Sequence, residues 1–338
     1  MLIPEVFFQR AEKDLGAFSD ARAILIAVSG GPDSMALLRL AHEWSKSRIR
    51  PRIVAATVDH RLRPESADEA HQVGNWCAQL DVPHAVLDWA GEKPEARLQE
   101  RARDARYGLL EDYARTAGCD TLFTAHHAGD QAETVLFRLT RGSGLRGLAG
   151  MAKSGLRGEL RHGRPFLDWS KEELVTVCEA LGQPFFRDPS NDNPRFARIR
   201  VRQMLVELEP RGLGPATFLR LSERARRADE ALEAIARAAA ARHRLPSSPD
   251  RIMLDARGLA GEPEEIVLRV LGKEIASLSS KSDHLRYERL ERLTARFLAA
   301  QHAVEPFAAT LADVMVAASP GRAVVLRLAP GRKSPQGN

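Results

Sequence analysis

Cysteine is scarce in this chain. Three occur in 338 residues, Cys77, Cys119 and Cys178, far apart and with no CxxC spacing. That argues against a disulfide framework or a zinc site and fits a reducing, cytoplasmic compartment. Long apolar runs are missing as well. No stretch approaches the roughly 20 residues needed to span a bilayer, so no membrane partner is expected. The first ten residues lack the basic region and long apolar core of a signal peptide, and read as a short packing helix. There is no internal repeat. Nor is there an acidic excess: 50 Lys and Arg against 45 Asp and Glu leave a net charge of +5. Arginines cluster at 195–202 and 220–227. Taken alone, such clusters are solvated charged faces. Beside a nucleotide site they favour a nucleic-acid partner, because phosphate contacts dominate that binding.

What is present is organised around one short stretch, Ser29-Gly30-Gly31-Pro32-Asp33-Ser34. An apolar run, Ile24-Leu25-Ile26, precedes it, and a helical pattern follows from Met35. A strand, a tight turn and a helix start therefore meet at one point. Paired glycines let the backbone turn sharply and approach a ligand with no Cβ in the way. Helix-start N–H groups and the helix dipole favour an anion there. The stretch is read as a phosphate site. No Lys follows the glycines, so it is not a GxxxxGKS/T loop. The competing reading is a Gly-rich turn with Asp33 or Ser34 as a helix cap.

Residues 24–28, 52–58, 82–87 and 120–125 read as strands, alternating with helical patterns that include 98–117 and 130–141. This alternation predicts a parallel sheet covered on both faces, with ligands bound beyond the carboxyl ends of the strands. Three polar clusters fall at such ends: the SGGPDS stretch, Asp59-His60-Arg61-Leu62-Arg63, and His126-His127-Ala128-Gly129-Asp130-Gln131. Residues 142–165 are rich in Gly and Arg and read as a mobile, functional loop carrying a hairpin. A helix with a capping box of Ser170 and Glu173 follows, then a turn at 188–191 and a basic helix at 196–207. The expected fold class is α/β. A Rossmann-like parallel sheet with helices on both faces occupies residues 1–214, and a smaller, mostly helical α+β domain occupies 215–330. That second domain opens on a long helix at 215–243. It mixes helices near 263–276 and 286–301 with strand-like segments near 252–256 and 322–328. Residues 331–338 are polar and read as a disordered tail.

Asp33 lies beside the phosphate stretch. A carboxylate there repels bound phosphates unless a divalent cation bridges them, as Mg2+ does with carboxylate and phosphate oxygens. His126, Asp130 and Glu133 are spaced i, i+4, i+7, which puts them on one helical face if the helix begins early. The histidine could donate to phosphate charge or shuttle a proton. The carboxylates could hold a metal or an ammonium group, and Asp33 and Asp130 are the candidate metal ligands. Zinc is disfavoured, because no further His or Cys sits at ligand spacing. Arg63 follows the second strand and could reach phosphate. Arg195, Arg198 and Arg202 share a face of the basic helix, with Arg200 among them, and form a phosphate-tracking stripe.

Together these clusters resemble those of the tRNA(Ile)-lysidine synthases, a branch of the N-type ATP pyrophosphatases. The resemblance runs to about residue 210. It is carried by Ala27-Val28-Ser29-Gly30-Gly31-Pro32-Asp33-Ser34, by Val58-Asp59-His60-Arg61-Leu62-Arg63-Pro64-Glu65-Ser66, and by Ala125-His126-His127-Ala128-Gly129-Asp130-Gln131-Ala132-Glu133-Thr134. Arg141-Gly142-Ser143-Gly144-Leu145-Arg146-Gly147-Leu148 and Asp188-Pro189-Ser190-Asn191 follow in the same order. Three departures stand out: Gly129 where many members carry Asp, Arg61 for a usual Gly, and Ile199 for a usual Asn. The resemblance implies a ligase that uses ATP and Mg2+ to adenylylate O2 of the wobble cytidine in the CAU anticodon of tRNA(Ile). Free L-lysine then attacks C2 through its ε-amine and AMP leaves. It implies ATP contacts at Ser29, Gly30, Gly31, Pro32, Asp33 and Ser34, and catalytic roles for Asp33, His126, Asp130 and Glu133. It also implies tRNA contacts at Arg63, Arg195, Arg198 and Arg202. Whether Asp130 or Glu133 takes the lysine stays open, as does a homodimer. The rivals are tRNA 2-thiolation, which needs cysteines or an iron–sulfur cluster, amidation of a small acid or nucleotide, and a non-catalytic RNA-binding module.

Overall fold

Ala23–Ala27 forms β1, and its apolar residues are buried on both sides. The structure, a computed structural model, describes residues 5–46, 50–61, 65–91, 98–187, 197–279, 286–319 and 322–329, with 98, 99 and 197–199 described in their backbone only. Ile24 and Ile26 join one core cluster, Ala23 and Leu25 another. β2 (Arg52–Asp59) repeats the alternation: Ile53 and Ala55 face the first cluster, Val54 and Ala56 the second. Wholly apolar strands with alternating partners mark a sheet between two helix layers. One layer holds α1 (Glu5–Gly16), α2 (Pro32–Ser45), α3 (Ser66–Ala78) and α7 (Lys171–Ala180), packed around Trp44, Trp76 and Trp169. On the other face α4 (Leu98–Thr116) buries Tyr107, Leu110 and Ala114.

The strand order is β3 (His84–Asp88), β2, β1, β4 (Thr121–Phe123), β6 (Leu160–Gly163), β5 (Ser154–Arg157). The first five pair in parallel, and β5 runs antiparallel to β6. From β1 the chain proceeds to β2 on one side and later returns to place β4 on the other. This is a topological switch point, where a crevice opens beyond the carboxyl ends of the strands. α2 begins there after β1, and α5 (Ala128–Leu139) begins there after β4. The expected α/β fold and its four parallel strands are present, and so is the hairpin. That β6 extends the parallel sheet beside β4 was not foreseen. α6 (Leu145–Leu148) occupies the loop ahead of the hairpin. Ser170 caps α7 with Glu173 in a reciprocal capping box. α8 (Ala197–Leu208) packs Val201 and Leu205 on Ala132, Val135 and Leu136 of α5. The turn expected at 188–191 and the tail at 331–338 lie outside the described residues.

The chain divides into units 1–226 and 227–338, and the division falls within α9 (Pro215–His243). The second unit is built on a five-stranded antiparallel sheet. Its order is β7 (Arg244–Leu245), β8 (Arg251–Asp255), β11 (Ala323–Leu328), β10 (Val314–Ala318), β9 (Phe307–Leu311). α10 (Ala256–Ala260), α11 (Glu264–Leu278) and α12 (Tyr287–His302) share a core with its apolar residues, among them Val314, Val316, Val324 and Leu326. β9 and β10 escaped sequence reading for a local reason. Ala312 and Asp313 join them at φ 48° and 60°, a turn that Gly normally announces. Among the described residues no helix is long and apolar enough to cross a membrane.

Gly163 ends β6 against Phe18 and Phe123, whose rings meet edge to face at 4.8 Å. A Cβ at 163 would lie 2.6 Å from the Phe123 ring and 2.8 Å from Phe18. Gly163→Ala should therefore lower the unfolding free energy by about 1–3 kcal/mol, read from the denaturant midpoint. The three cysteines are free and buried, and burial pushes the Cys77 and Cys178 thiols up to about 12. The native protein should resist a thiol-reactive disulfide at pH 8 and react only once unfolded. Rapid labelling of the folded protein would contradict this packing.

Candidate active site

Gly30 turns the chain after β1 with a φ of +82°, a conformation costly for any residue with a Cβ. Space also demands glycine: a Cβ would lie 2.8 Å from the Phe186 ring and 2.9 Å from Val73. The Phe186 N–H donates to the Gly30 carbonyl at 2.8 Å and holds the loop from behind. Ser34 folds back into the loop. Its hydroxyl donates to the Gly31 carbonyl at 3.0 Å and accepts the Ser29 N–H at 3.1 Å. Gly31 is the cap of α2, Pro32 its first residue, and no side chain caps the helix. The reading with Asp33 or Ser34 as cap is thereby corrected. The first-turn N–H groups, which have no acceptor within the helix, are not taken by a capping side chain.

Asp33 stands in that first turn. Its Oδ1 is buried without a hydrogen-bond partner, and its Oδ2 lies 3.8 Å from His127 Nε2. The same nitrogen is 3.6 Å from Asp130 Oδ2. His127 caps α5: its Nδ1 accepts the Gly129 N–H at 3.0 Å, and Asp130 Oδ2 accepts the His127 N–H at 3.0 Å. Because Nδ1 accepts, the proton of the neutral ring sits on Nε2, between the two carboxylates. Gly129 gives the ring its seat, since a Cβ there would lie 2.7 Å from it. Burial pushes the Asp33 carboxyl above its ordinary range and Asp130 adds to this, against His127, Lys171 and Arg202, which pull it down. The Ala128 N–H donates to the Trp169 carbonyl at 2.8 Å, which brings the start of α7 and its Lys171 beside the starts of α2 and α5. Three helix N-termini thus face the acidic pair.

The orphaned Asp33 Oδ1 is the ligand atom a cation would find. Among the described residues no three or more His, Cys, Asp or Glu converge to hold a metal ion, so no closed protein-only site is built. Mg2+ needs only one or two carboxylates when phosphate oxygens and water complete its shell, and Asp33 with Asp130 fit that requirement.

α5 begins at Ala128, so His126 leaves β4 ahead of the helix and does not share a helical face with Asp130 and Glu133. Its Nδ1 meets the Thr124 hydroxyl at 2.8 Å, and that hydroxyl meets His162 Nε2 at 2.9 Å. Burial pushes both imidazoles down to about 3, and nearby arginines, Arg164 foremost, add to the shift. His126 is therefore a neutral hydrogen-bonding group at neutral pH. Glu133 is 7% exposed and accepts from Arg202 Nε at 2.6 Å. Arg202 thus belongs to the site as well as to the basic face of α8. At the end of β2, Asp59 accepts the Arg61 N–H at 2.8 Å. Burial would raise that carboxyl, but the Ser66 hydroxyl and the Arg61 N–H hold it below its ordinary value. Arg61 takes φ +50°, in the left-handed region that favours glycine.

Residues 142–151 are clamped where a mobile loop was expected. Gln131 donates to the Met151 carbonyl at 2.9 Å and accepts the Met151 N–H at 2.8 Å. Arg138 donates to the Gly147 and Gly150 carbonyls at 3.0 and 2.8 Å. The structure gathers the SGGPDS loop, Asp130, Glu133, His126 and Arg202 at the switch-point edge. Arg63 and Arg195 lie outside the described residues, as does the Arg198 side chain. Sequence reasoning missed His127, Lys171, Thr124, His162, Arg103 and Arg106. The doubled histidine after β4 was a signal for His127. Lys171 depends on α7 docking beside α5, and the others on β6 and α4 lying beside β4, which no local pattern shows.

Comparison with known proteins agrees with this geometry. The model of the PP-loop domain family matches residues 4–209. The chain is 45% identical to the tRNA(Ile)-lysidine synthase of Methylobacterium sp. (strain 4-46) over 340 residues, 98% of this chain and 97% of that one. It is 37% identical to the tRNA(Ile)-lysidine synthase of Bradyrhizobium diazoefficiens over 343 residues, 96% and 95% of the two chains. Among solved structures, the U34-tRNA thiolase NcsA from Methanococcus maripaludis superposes with a TM-score of 0.55 at 19% identity, covering 65% of this chain and 78% of that one. That likeness is one of fold alone. Identity sustained along nearly the whole length, with the PP-loop at the switch point of the sheet, means that the chain belongs to the tRNA(Ile)-lysidine synthase family of PP-loop proteins.

Proposed function

We propose that this chain is an ATP-dependent ligase that joins free L-lysine to C2 of the wobble cytidine in the CAU anticodon of tRNA(Ile). The route is an O2-adenylylated cytidine, with release of pyrophosphate and then AMP. The observation that carries this reading is the convergence, at one switch point, of a glycine-capped helix start, the orphaned Asp33 carboxylate and the Glu133–Arg202 pair. Backbone N–H groups of Gly30, Gly31, Asp33 and Ser34 receive the ATP phosphates. Asp33 and Asp130 would hold Mg2+, which supplies neutralisation of phosphate charge and polarisation of a phosphoryl oxygen. A ring carbonyl oxygen is a poor leaving group; its adenylyl ester is a good one. Neutral His126 offers a hydrogen bond that strengthens as charge grows on the phosphoryl oxygens.

Lysine arrives as an ammonium, because its ordinary pKa is about 10.4, and must be seated by a carboxylate and lose a proton before attack. Asp130 and Glu133 are the candidates. Arg202 holds Glu133, so lysine taken there competes with the guanidinium. We assign tRNA contacts to Arg63, Arg195, Arg198 and Arg202 and to residues 215–330, with the cytidine splayed out of its stack to reach the site. The free, buried thiols suit a cytoplasmic protein. Thiolation is the weaker reading for a positive reason. Cys77 and Cys178 pack on one face of the sheet and Cys119 on the other, so the three cannot ligate one cluster.

Incubation with radiolabelled lysine, ATP, Mg2+ and bacterial tRNA should label an isoleucine CAU tRNA. Asp33→Asn should slow this by about 100-fold or more, the scale of losing a key electrostatic group. AMP release onto another acceptor, with no lysine transfer, would retain the loop and discard the substrate. Stability should move the opposite way. The folded Asp33 carboxyl lies above its ordinary 3.8, so its charged form costs stability once pH rises through the folded value. Asp33→Asn should therefore unfold at a higher temperature than wild type at pH 7, with the gap closing below pH 3.8. A variant less stable at pH 7 would make Asp33 a structural carboxylate.

A further inference from the structure

We infer that Thr124, His162 and Arg164 form a one-way hydrogen-bond chain that fixes His126 in its Nε2–H tautomer, so that His126 meets a bound phosphoryl group as a donor and not as a base. The inference rests on reading this crevice as a nucleotide site. The direction is set at the far end. Arg164 Nη2 lies 3.1 Å from His162 Nδ1, and a guanidinium has donors only. His162 Nδ1 must accept, so the proton of the neutral ring is on Nε2. That proton goes to Thr124 Oγ1 at 2.9 Å. The Thr124 proton is then committed to His126 Nδ1 at 2.8 Å. With Nδ1 accepting, His126 carries its own proton on Nε2, the nitrogen turned away from the chain.

The fold builds each link. β6 lies parallel to β4 with His162 opposite Leu122, and the Thr124 N–H donates to the Gly163 carbonyl at 3.1 Å. Leu122 and Thr124 share the face covered by α4. There Tyr107 meets the His162 ring edge-on at 5.5 Å, and Arg157 lies over the Tyr107 ring at 4.0 Å. Arg164 is anchored by Nη1 to the Ala152 carbonyl at 3.0 Å. His162 is 4% exposed and Thr124 8%, so water competes little for these bonds. Burial and the surrounding arginines keep His162 neutral. A protonated ring would set an N–H against the guanidinium. Packing alone does not call for this arrangement, since an apolar pair would fill the same space without burying four polar groups. Thr124, His162 and Arg164 are positioning residues, acting through His126.

Histidine-selective 15N labelling of the full chain, read by two-bond 15N–1H correlation, shows the tautomers directly. At pH 7 His126 and His162 should each have a protonated Nε2 and a bare Nδ1, with His126 assigned by its loss in His126→Gln. A protonated Nδ1 on His126 would overturn the inference. Thr124→Val keeps the volume and removes the link. Its kcat for tRNA-dependent AMP release should fall about tenfold, the weight of one hydrogen bond, with KM for ATP unchanged and the His126 tautomers mixed. Thr124→Ser should restore rate and tautomer together. A Thr124→Val protein with wild-type kcat and an unmixed Nε2–H tautomer would also refute the chain. The NMR measurement needs neither tRNA nor lysine. The expected tautomers in a protein that transfers no lysine would leave the chain standing and remove the ligase reading.

Discussion

Everything at the site follows from β1 pairing in parallel with β2 on one side and β4 on the other. A central strand with parallel neighbours must be apolar on both faces, and Ala23–Ala27 is. Its successor helix α2 and the helix after β4 then start side by side at one edge. The peptide dipoles of two helix starts point at one crevice before any side chain is specified. The start of α7 joins them through the Ala128–Trp169 hydrogen bond. A crevice that favours an anion is thus a consequence of topology, and the side chains refine it.

That refinement is acidic, which sets up the central electrostatic conflict. Asp33 is placed where backbone N–H groups favour an anion, yet one of its oxygens is buried without a partner. Glu133, more deeply buried at 9% side-chain exposure against 27% for Asp33, is satisfied by Arg202. A fold selected only for stability would treat the two alike, because an unpartnered buried carboxylate costs more than a paired one. The difference supports the proposed role of Asp33 as a cation ligand. His127 eases the conflict without removing it, standing 3.8 and 3.6 Å from the two aspartates. It can do so because Gly129 leaves room for its ring.

Much of this was legible in the sequence. The SGGPDS turn announced itself through glycines flanked by an apolar strand and a helix pattern, and Ser170 with Glu173 announced α7. Gly30, Asp33, Asp130 and Glu133 followed from their places at strand ends. Illegible features were of two kinds. Some depend on contacts distant in sequence: His162 matters only because β6 docks on β4, 38 residues away from Thr124. Others depend on conformations adopted by atypical residues, such as Arg61 at φ +50° and the Ala312-Asp313 turn that hid β9 and β10. α5 begins at Ala128, two residues ahead of the expected 130 but still past His126, so the cap falls to His127 and His126 stays off the helix.

The site combines fixed and exchangeable polar groups, and the division matches what the proposed reaction needs. The phosphate loop is pinned by Phe186 and Ser34, and His126 is tied through Thr124 to the sheet. Such groups must not move while charge develops on phosphorus, since preorganisation is what makes them effective. The Glu133–Arg202 pair is different. Its carboxylate is buried while the Arg202 side chain is 45% exposed, so the guanidinium can give up Glu133 only where another cation takes its place at the carboxylate. In the proposed reaction a tRNA phosphate would offer Arg202 a bidentate, charge-assisted alternative. Were Arg202 to turn to it, Glu133 would be a buried carboxylate with an open partner position, and a lysine ammonium would fit that charge. Arrival of the nucleic acid would thereby create the seat for the amine, and lysine would be held poorly until an activated cytidine is there to receive it.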